Sequence, residues 1–131
     1  MLFRSCSCSA QRLASYRDKL SRALLDRFDL VVAVPRARAA DFAVREAEPS
    51  AGVAARVAAA RERLAGPVLR RTPDGDELLL RAVDRLPLSG RGRARVARVA
   101  RTVAALAGAD RVEAEHVAEA LAYRSPQELA T

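Results

Sequence analysis

Residues 16–35, YRDKLSRALLDRFDLVVAVP, change their pattern half-way along. The first half spaces its leucines at helical intervals and keeps charges mainly on other faces. Together with the preceding residues, which lack Gly and Pro, it predicts an amphipathic helix over 10–26. The second half, Phe28 and 30–34, is apolar, partly β-branched and closed by a proline, which predicts a short strand buried on both faces. Such a strand needs neighbours in a parallel sheet, and the remaining sequence offers almost none.

Arg27 stands where the predicted helix ends, between Asp26 and Asp29. The segment LLDRFDL around it resembles the LLDR(I/F)DL segment of magnesium-chelatase-like AAA+ ATPases, most closely the YifB/ComM subfamily, in which it precedes the last strand of the ATPase core. The resemblance implies that Arg27 is the arginine finger, which reaches the ATP held by a neighbouring subunit. A planar, permanently charged guanidinium suits that role because it can bind two phosphate oxygens at once. The alternative is an arginine paired with Asp26 or Asp29 at a helix terminus.

A second arginine opens the longest predicted helix, residues 89–107. The stretch LSGRGRARVARVARTVAALAG, which begins at Leu88, resembles the LSARGxxRxLRVARTIADL stretch of the same family. The resemblance implies that Arg91 is the sensor-2 arginine, which folds a helical lid onto the γ-phosphate of the subunit's own ATP. A helix N-terminus favours this role because its unpaired backbone N–H groups also attract anions.

The charge of the chain allows a different function. The net charge is +7, and four arginines of the longest helix recur away from its apolar stripe. We predict that they form a basic ridge: Arg91, Arg95, Arg98 and Arg101. Such a ridge either tracks DNA phosphates, as in a stand-alone basic helical module that binds nucleic acid, or is a solvated helix face. Arginine is spread along the whole chain, so the charge is weak evidence for nucleic-acid binding.

The fold class predicted is mainly α: the end of an AAA+ core, with a helix plus one strand, followed by a small helical lid bundle. Ser50 as N-cap predicts a helix over 51–64, the turn-forming residues 72–76 precede a helix over 76–85, and a last helix covers 113–123. The predicted divisions are a disordered lead 1–9, a core remnant 10–47, a helical lid domain 48–124 and a tail 125–131.

The residues that would hold a nucleotide are missing from the sequence. A phosphate loop, G-x-x-x-x-G-K-[ST], occurs nowhere in the chain. We therefore expect ATP and Mg²⁺ to bind in the complete AAA+ protein, and this chain alone to hydrolyse no ATP. Its partners would be the remainder of that protein or neighbouring subunits, and possibly DNA. The resemblance associates some full-length relatives with DNA and others with metal insertion into porphyrins.

Metal binding and membrane insertion find no support in the sequence. Cys6, Cys8 and the one histidine, His116, do not have the number or spacing of a zinc site, and His116 is expected to be structural. No apolar run has the length of a membrane span, so a cytoplasmic protein without a membrane partner is expected.

Overall fold

The computed structural model confirms the mainly helical fold. It describes residues 8–19, 24, 27–34, 37–38, 48–86 and 88–124. The predictions for the first residues of the lead, for most of the last third of the first helix (20–23 and 25–26), for most of 36–47 and for the tail lie outside these residues. Five helices form in the described residues: α1 Ala10–Asp18, α2 Ser50–Ala65, α3 Pro73–Arg85, α4 Gly90–Leu106 and α5 Ala114–Ala122.

Helix α4 is the centre of the fold and contacts α2, α3 and α5. Its buried residues include Val96 and two alanines without solvent exposure, Ala100 and Ala104. These small side chains let neighbouring helices approach closely, so the core needs no large aromatic residue. Leu79 of α3 and Val117 of α5 complete the same cluster. Helix α1 makes no helix–helix contact within the described part of the chain.

The start of α3 corrects one prediction. Residues 73–76, predicted as a turn before the helix, are its first turn. The Thr72 hydroxyl accepts a hydrogen bond from the Gly75 N–H at 3.2 Å, and Pro73 occupies the first helical position. Pro and Asp favour a helix start as well as a turn, which is why the sequence pattern was misinterpreted.

The start of α2 was predicted one residue too late. Pro49 is the N-cap and Ser50 is already helical, without a side-chain cap. Glu48, the residue before the N-cap, instead forms a bidentate ion pair with Arg56 in the second turn of the helix. The distance between Arg56 Nη2 and Glu48 Oε2 is 2.9 Å. The helix ends at Ala65, just before Gly66 and Pro67, as the Gly-Pro sequence predicts.

The predicted buried strand at 30–34 is wrong. The segment pairs with no strand in the described residues, and Val34 is 86% exposed. Its one described backbone bond runs from the Val31 N–H to the Tyr123 carbonyl, 2.9 Å. The apolar, β-branched sequence favours a strand, but a strand requires a hydrogen-bonding neighbour, and the described residues supply none.

The linker between α2 and α3 is held by a single parallel bridge between Arg71 and Val112. The Thr72 N–H donates to the Val112 carbonyl and the Val112 N–H donates to the Arg70 carbonyl, both at 3.0 Å. Gly75 packs against the same carbonyl so closely that an added Cβ would lie 2.9 Å from it. The linker is therefore fixed against the residue that precedes α5.

The connection between α4 and α5 has a hydrogen-bonded cap at each end. Gly108 has a φ of +73°. Its N–H bonds to the Ala105 carbonyl, and the Ala109 N–H bonds to the Ala104 carbonyl, which together make a Schellman motif. His116 is buried, and its Nδ1 accepts the Glu113 N–H at 2.9 Å in a capping box. The prediction of a structural histidine is confirmed.

Candidate functional site

Residues 27–34 form neither helix nor strand, and we call them the extended segment. Arg27 lies in a turn at its start. Its backbone N–H donates to the Leu24 carbonyl at 2.9 Å, and its side chain is exposed. In the described part of the chain it makes no ion pair; the alternative of a pair with Asp29 is not observed, and Asp26 lies outside that part. Because the side chain is exposed, an external anion can reach the guanidinium.

Arg91 is the second residue of α4 and is also exposed. The helix begins as predicted, because the Ser89 hydroxyl accepts the Gly92 N–H at 3.0 Å and caps the first turn. Among the described residues Arg91 forms no ion pair. Its charge and the remaining N–H groups of the first turn can act on the same anion.

An ion pair joins the segment that carries Arg27 to the helix that carries Arg91. Asp29 accepts a hydrogen bond from Arg95 Nη1 at 2.6 Å, and its second oxygen lies 3.7 Å from Arg98 Nη1. The side chain of Arg95 is 22% exposed and that of Arg98 is 66% exposed. The predicted basic ridge is thus only partly solvated, because Asp29 covers its middle.

Arg124 adds a second connection at the end of α5. Its Nη1 donates to the Phe28 carbonyl at 2.8 Å. Its Nη2 passes so near the buried Gly92 that a Cβ there would lie 3.2 Å from it. Arg124 therefore contacts both the residue after Arg27 and the residue after Arg91. Sequence analysis missed it; its signal was the Tyr-Arg pair that ends the last helix.

The two cysteines are described only in part. Cys8 is exposed, and Cys6 lies outside the described residues. The described residues contain no cluster of three or more side chains able to hold a metal ion. The helices within the same residues are also too short or too polar to cross a lipid bilayer.

Comparison with known families adds to this geometry. Residues 63–124 match the model of the magnesium chelatase subunit ChlI C-terminal region, and residues 2–42 match that of magnesium chelatase subunit ChlI. The chain belongs to the magnesium-chelatase-like family. Arg27 lies in the stretch 2–42, and Arg91 lies in the stretch 63–124.

Relatives of this chain occur in mycobacteria and in Haemophilus influenzae. The chain is 41% identical over 91% of its length to uncharacterized proteins of Mycobacterium tuberculosis H37Rv and Mycobacterium bovis, and spans 27% of each. It is 33% identical over 89% of its length to the competence protein ComM of Haemophilus influenzae, and spans 26% of it. The chain therefore covers about a quarter of these magnesium-chelatase-like relatives. No solved structure matches it significantly.

Proposed function

We propose that this chain supplies two ATP-sensing arginines to a ring of magnesium-chelatase-like AAA+ subunits. Arg27 is the arginine finger that acts in trans on the ATP of a neighbouring subunit. Arg91 is the sensor-2 residue that acts in cis. Residues 10–47 belong to the AAA+ core and residues 48–124 form its helical lid. ATP and Mg²⁺ are held by a phosphate loop, which this sequence does not contain.

The observation that carries the proposal is the ion pair between Asp29 and Arg95 at 2.6 Å. It connects the segment of the finger to the helix of the sensor, one helical turn after Arg91. A movement of the lid on its own ATP would therefore be transmitted to the finger. Both arginines are exposed, as residues that must reach an external γ-phosphate have to be.

The chemistry required of these arginines is electrostatic. Phosphoryl transfer places negative charge on the equatorial oxygens of the γ-phosphoryl group, and a guanidinium fork neutralises it through two parallel hydrogen bonds. Lysine would carry the charge without the fork geometry, so Arg27→Lys should recover little of the lost rate.

DNA is the substrate that we propose for the ring, in the cytoplasm. The chain carries a net charge of +7, and one relative is named a competence protein. A polyanion is a suitable partner for such a charge.

ATP hydrolysis tests this function. The chain is joined to a core of the same family that carries the phosphate loop, and hydrolysis is measured at saturating ATP and Mg²⁺. We expect Arg27→Ala to lower kcat by about 10³-fold, in the range found for arginine fingers. Arg93→Ala is the matched control, because Arg93 is exposed on α4 two residues after Arg91. Hydrolysis by the isolated chain, or an Arg27→Ala variant as active as the control, would refute the proposal.

A further inference from the structure

A groove of about 590 Å³ opens between the 68–71 linker and α4. Four of the residues lining it are arginines, which makes it basic, and two are alanines. We call it the arginine groove, and define it by Arg70, Arg71, Arg98, Arg101, Ala94 and Ala97. Neither Arg27 nor Arg91 lines it.

The positive charges of the arginine groove exceed its negative charge. Asp76 is the one carboxylate among the described lining residues, and Arg71 Nε donates a hydrogen bond to it at 2.5 Å. Arg98 lies at the margin of the Asp29 ion pair, 3.7 Å away, and is mostly exposed. Within the part of the chain that the structure describes, two further arginines of the groove, Arg70 and Arg101, make no ion pair.

Arg101 is the most informative of these arginines. Its Nε is buried and, within the described residues, has no hydrogen-bond partner. Buried polar groups without a partner are rare in folded proteins, because desolvation is then uncompensated. The charge of a guanidinium is shared among its three nitrogens, so an anion at the groove-facing nitrogens would offset this loss.

The walls of the arginine groove are fixed before any ligand arrives. The backbone bonds of Arg70 and Thr72 to Val112 hold the linker. The opposite wall is α4, whose Val96 and Ala100 are in the core. A site with rigid walls loses little conformational entropy when it binds.

We propose that the arginine groove is a phosphate-binding site. A single carboxylate is satisfied by one guanidinium fork, whereas a phosphate offers more oxygens and up to two charges to several arginines. None of the described residues that line the groove is aromatic, so these residues would recognise the phosphate and not a base. The phosphate could belong to a nucleic-acid backbone or to a free polyphosphate, and the two sources differ in the test below. The inference does not depend on the roles of Arg27 and Arg91.

The test measures binding of the whole chain to a fluorescent single-stranded oligonucleotide and to pyrophosphate over a range of salt concentrations. We expect Arg98→Gln and Arg101→Gln each to weaken binding about fivefold and to reduce the salt slope by about 0.7 per lost contact with the strand. Ala94→Leu should weaken binding without changing the charge, because Ala94 is exposed and its larger side chain fills the groove. Thermal unfolding verifies that each variant is folded.

The control, Arg93→Gln, lies on the same helix outside the groove and should leave this binding unchanged. Competition by pyrophosphate would identify a free polyphosphate as a ligand; binding of the oligonucleotide alone would identify the nucleic-acid backbone. The inference fails if neither phosphate source binds, if Ala94→Leu has no effect, if Arg93→Gln weakens binding as much as Arg98→Gln, or if polyglutamate competes equally well.

Discussion

Gly75 shows how closely the first turn of α3 packs against the backbone before α5. An added methyl group would lie 2.9 Å from the Val112 carbonyl oxygen, a distance that carbon and oxygen rarely reach without a shift of the backbone. We expect Gly75→Ala to lower the free energy of unfolding by about 1–3 kcal/mol, despite the better helix propensity of alanine. Urea denaturation measures the change.

Gly90 provides the control for this substitution at the start of another helix. A Cβ there meets no atom within 4 Å. Gly90→Ala should therefore leave the free energy of unfolding within about 0.5 kcal/mol of the parent protein, or raise it slightly. Equal destabilisation by the two substitutions would contradict the close packing of Gly75.

The pKa of the Tyr123 hydroxyl can be predicted from its contact with Glu119. Its hydroxyl donates to Glu119 Oε1 at 3.1 Å, and this hydrogen bond, with the negative charge of Glu119, raises the pKa of Tyr123. A raised pKa means that the bond is intact below about pH 10 and that its contribution to stability is lost as the pH rises through the folded-state pKa. Glu119→Gln should return the pKa toward its usual value.

Ultraviolet titration of the tyrosinate measures this pKa, with Tyr16→Phe as the background so that one tyrosine titrates. An unchanged titration midpoint in the Glu119→Gln variant would show that the bond to Glu119 does not control ionisation.

The extended segment is positioned by a side chain of α4 and by the residues that follow α5. Asp29 binds Arg95, and the Val31 N–H is bonded to Tyr123. Removing the Asp29 charge weakens a partly exposed ion pair that contributes about 1 kcal/mol. We expect Asp29→Asn to increase hydrogen exchange at the Val31 amide about fivefold and to leave the amides within α4 unchanged.

Asp84→Asn is the control. Asp84 is exposed on α3, so this substitution removes the same charge at a distance from the extended segment. If Val31 exchanged at the same rate in both variants, the Asp29 ion pair would not hold the segment.

The helices that the sequence predicted well are those specified by local signals. Periodic apolar residues, the Ser89 cap and Gly108 act within a few residues of each other, so α4 and its end follow from the sequence alone. The 30–34 segment differs because a strand is completed by residues far along the chain, and its apolar pattern says nothing about whether they are present. The start of α3 after Thr72 was mispredicted for a third reason: the residues that favour a turn there are the same residues that favour a helix start.

The residues of the candidate site also differ in whether the sequence alone could predict them. Arg27 and Arg91 could be proposed because each stands in a short family motif. The contacts of Arg124 and Asp29 could not, since their partners are 96 and 66 residues away in sequence. The arginine groove was also missed, because its arginines come from two segments that only the fold brings together.

In the molecule as a whole, the four packed helices form a scaffold on which the Asp29–Arg95 ion pair joins the segment of Arg27 to the helix of Arg91. The chain spans about a quarter of its relatives, so both arginines are proposed to act on ATP held outside it. If Arg27 acts in trans and Arg91 in cis, the two differ in whether another subunit can replace them.

Mixing of subunits tests this difference most directly. The chain is joined to a phosphate-loop core of its family, and one preparation with an inactivated phosphate loop but intact arginines is mixed with one that has an active loop and an arginine substitution. We predict that ATP hydrolysis is recovered in the mixture with Arg27→Ala, whose finger a neighbour can supply, and is not recovered with Arg91→Ala. Recovery with both, or failure with Arg27→Ala while Arg91→Ala recovers, would contradict the account.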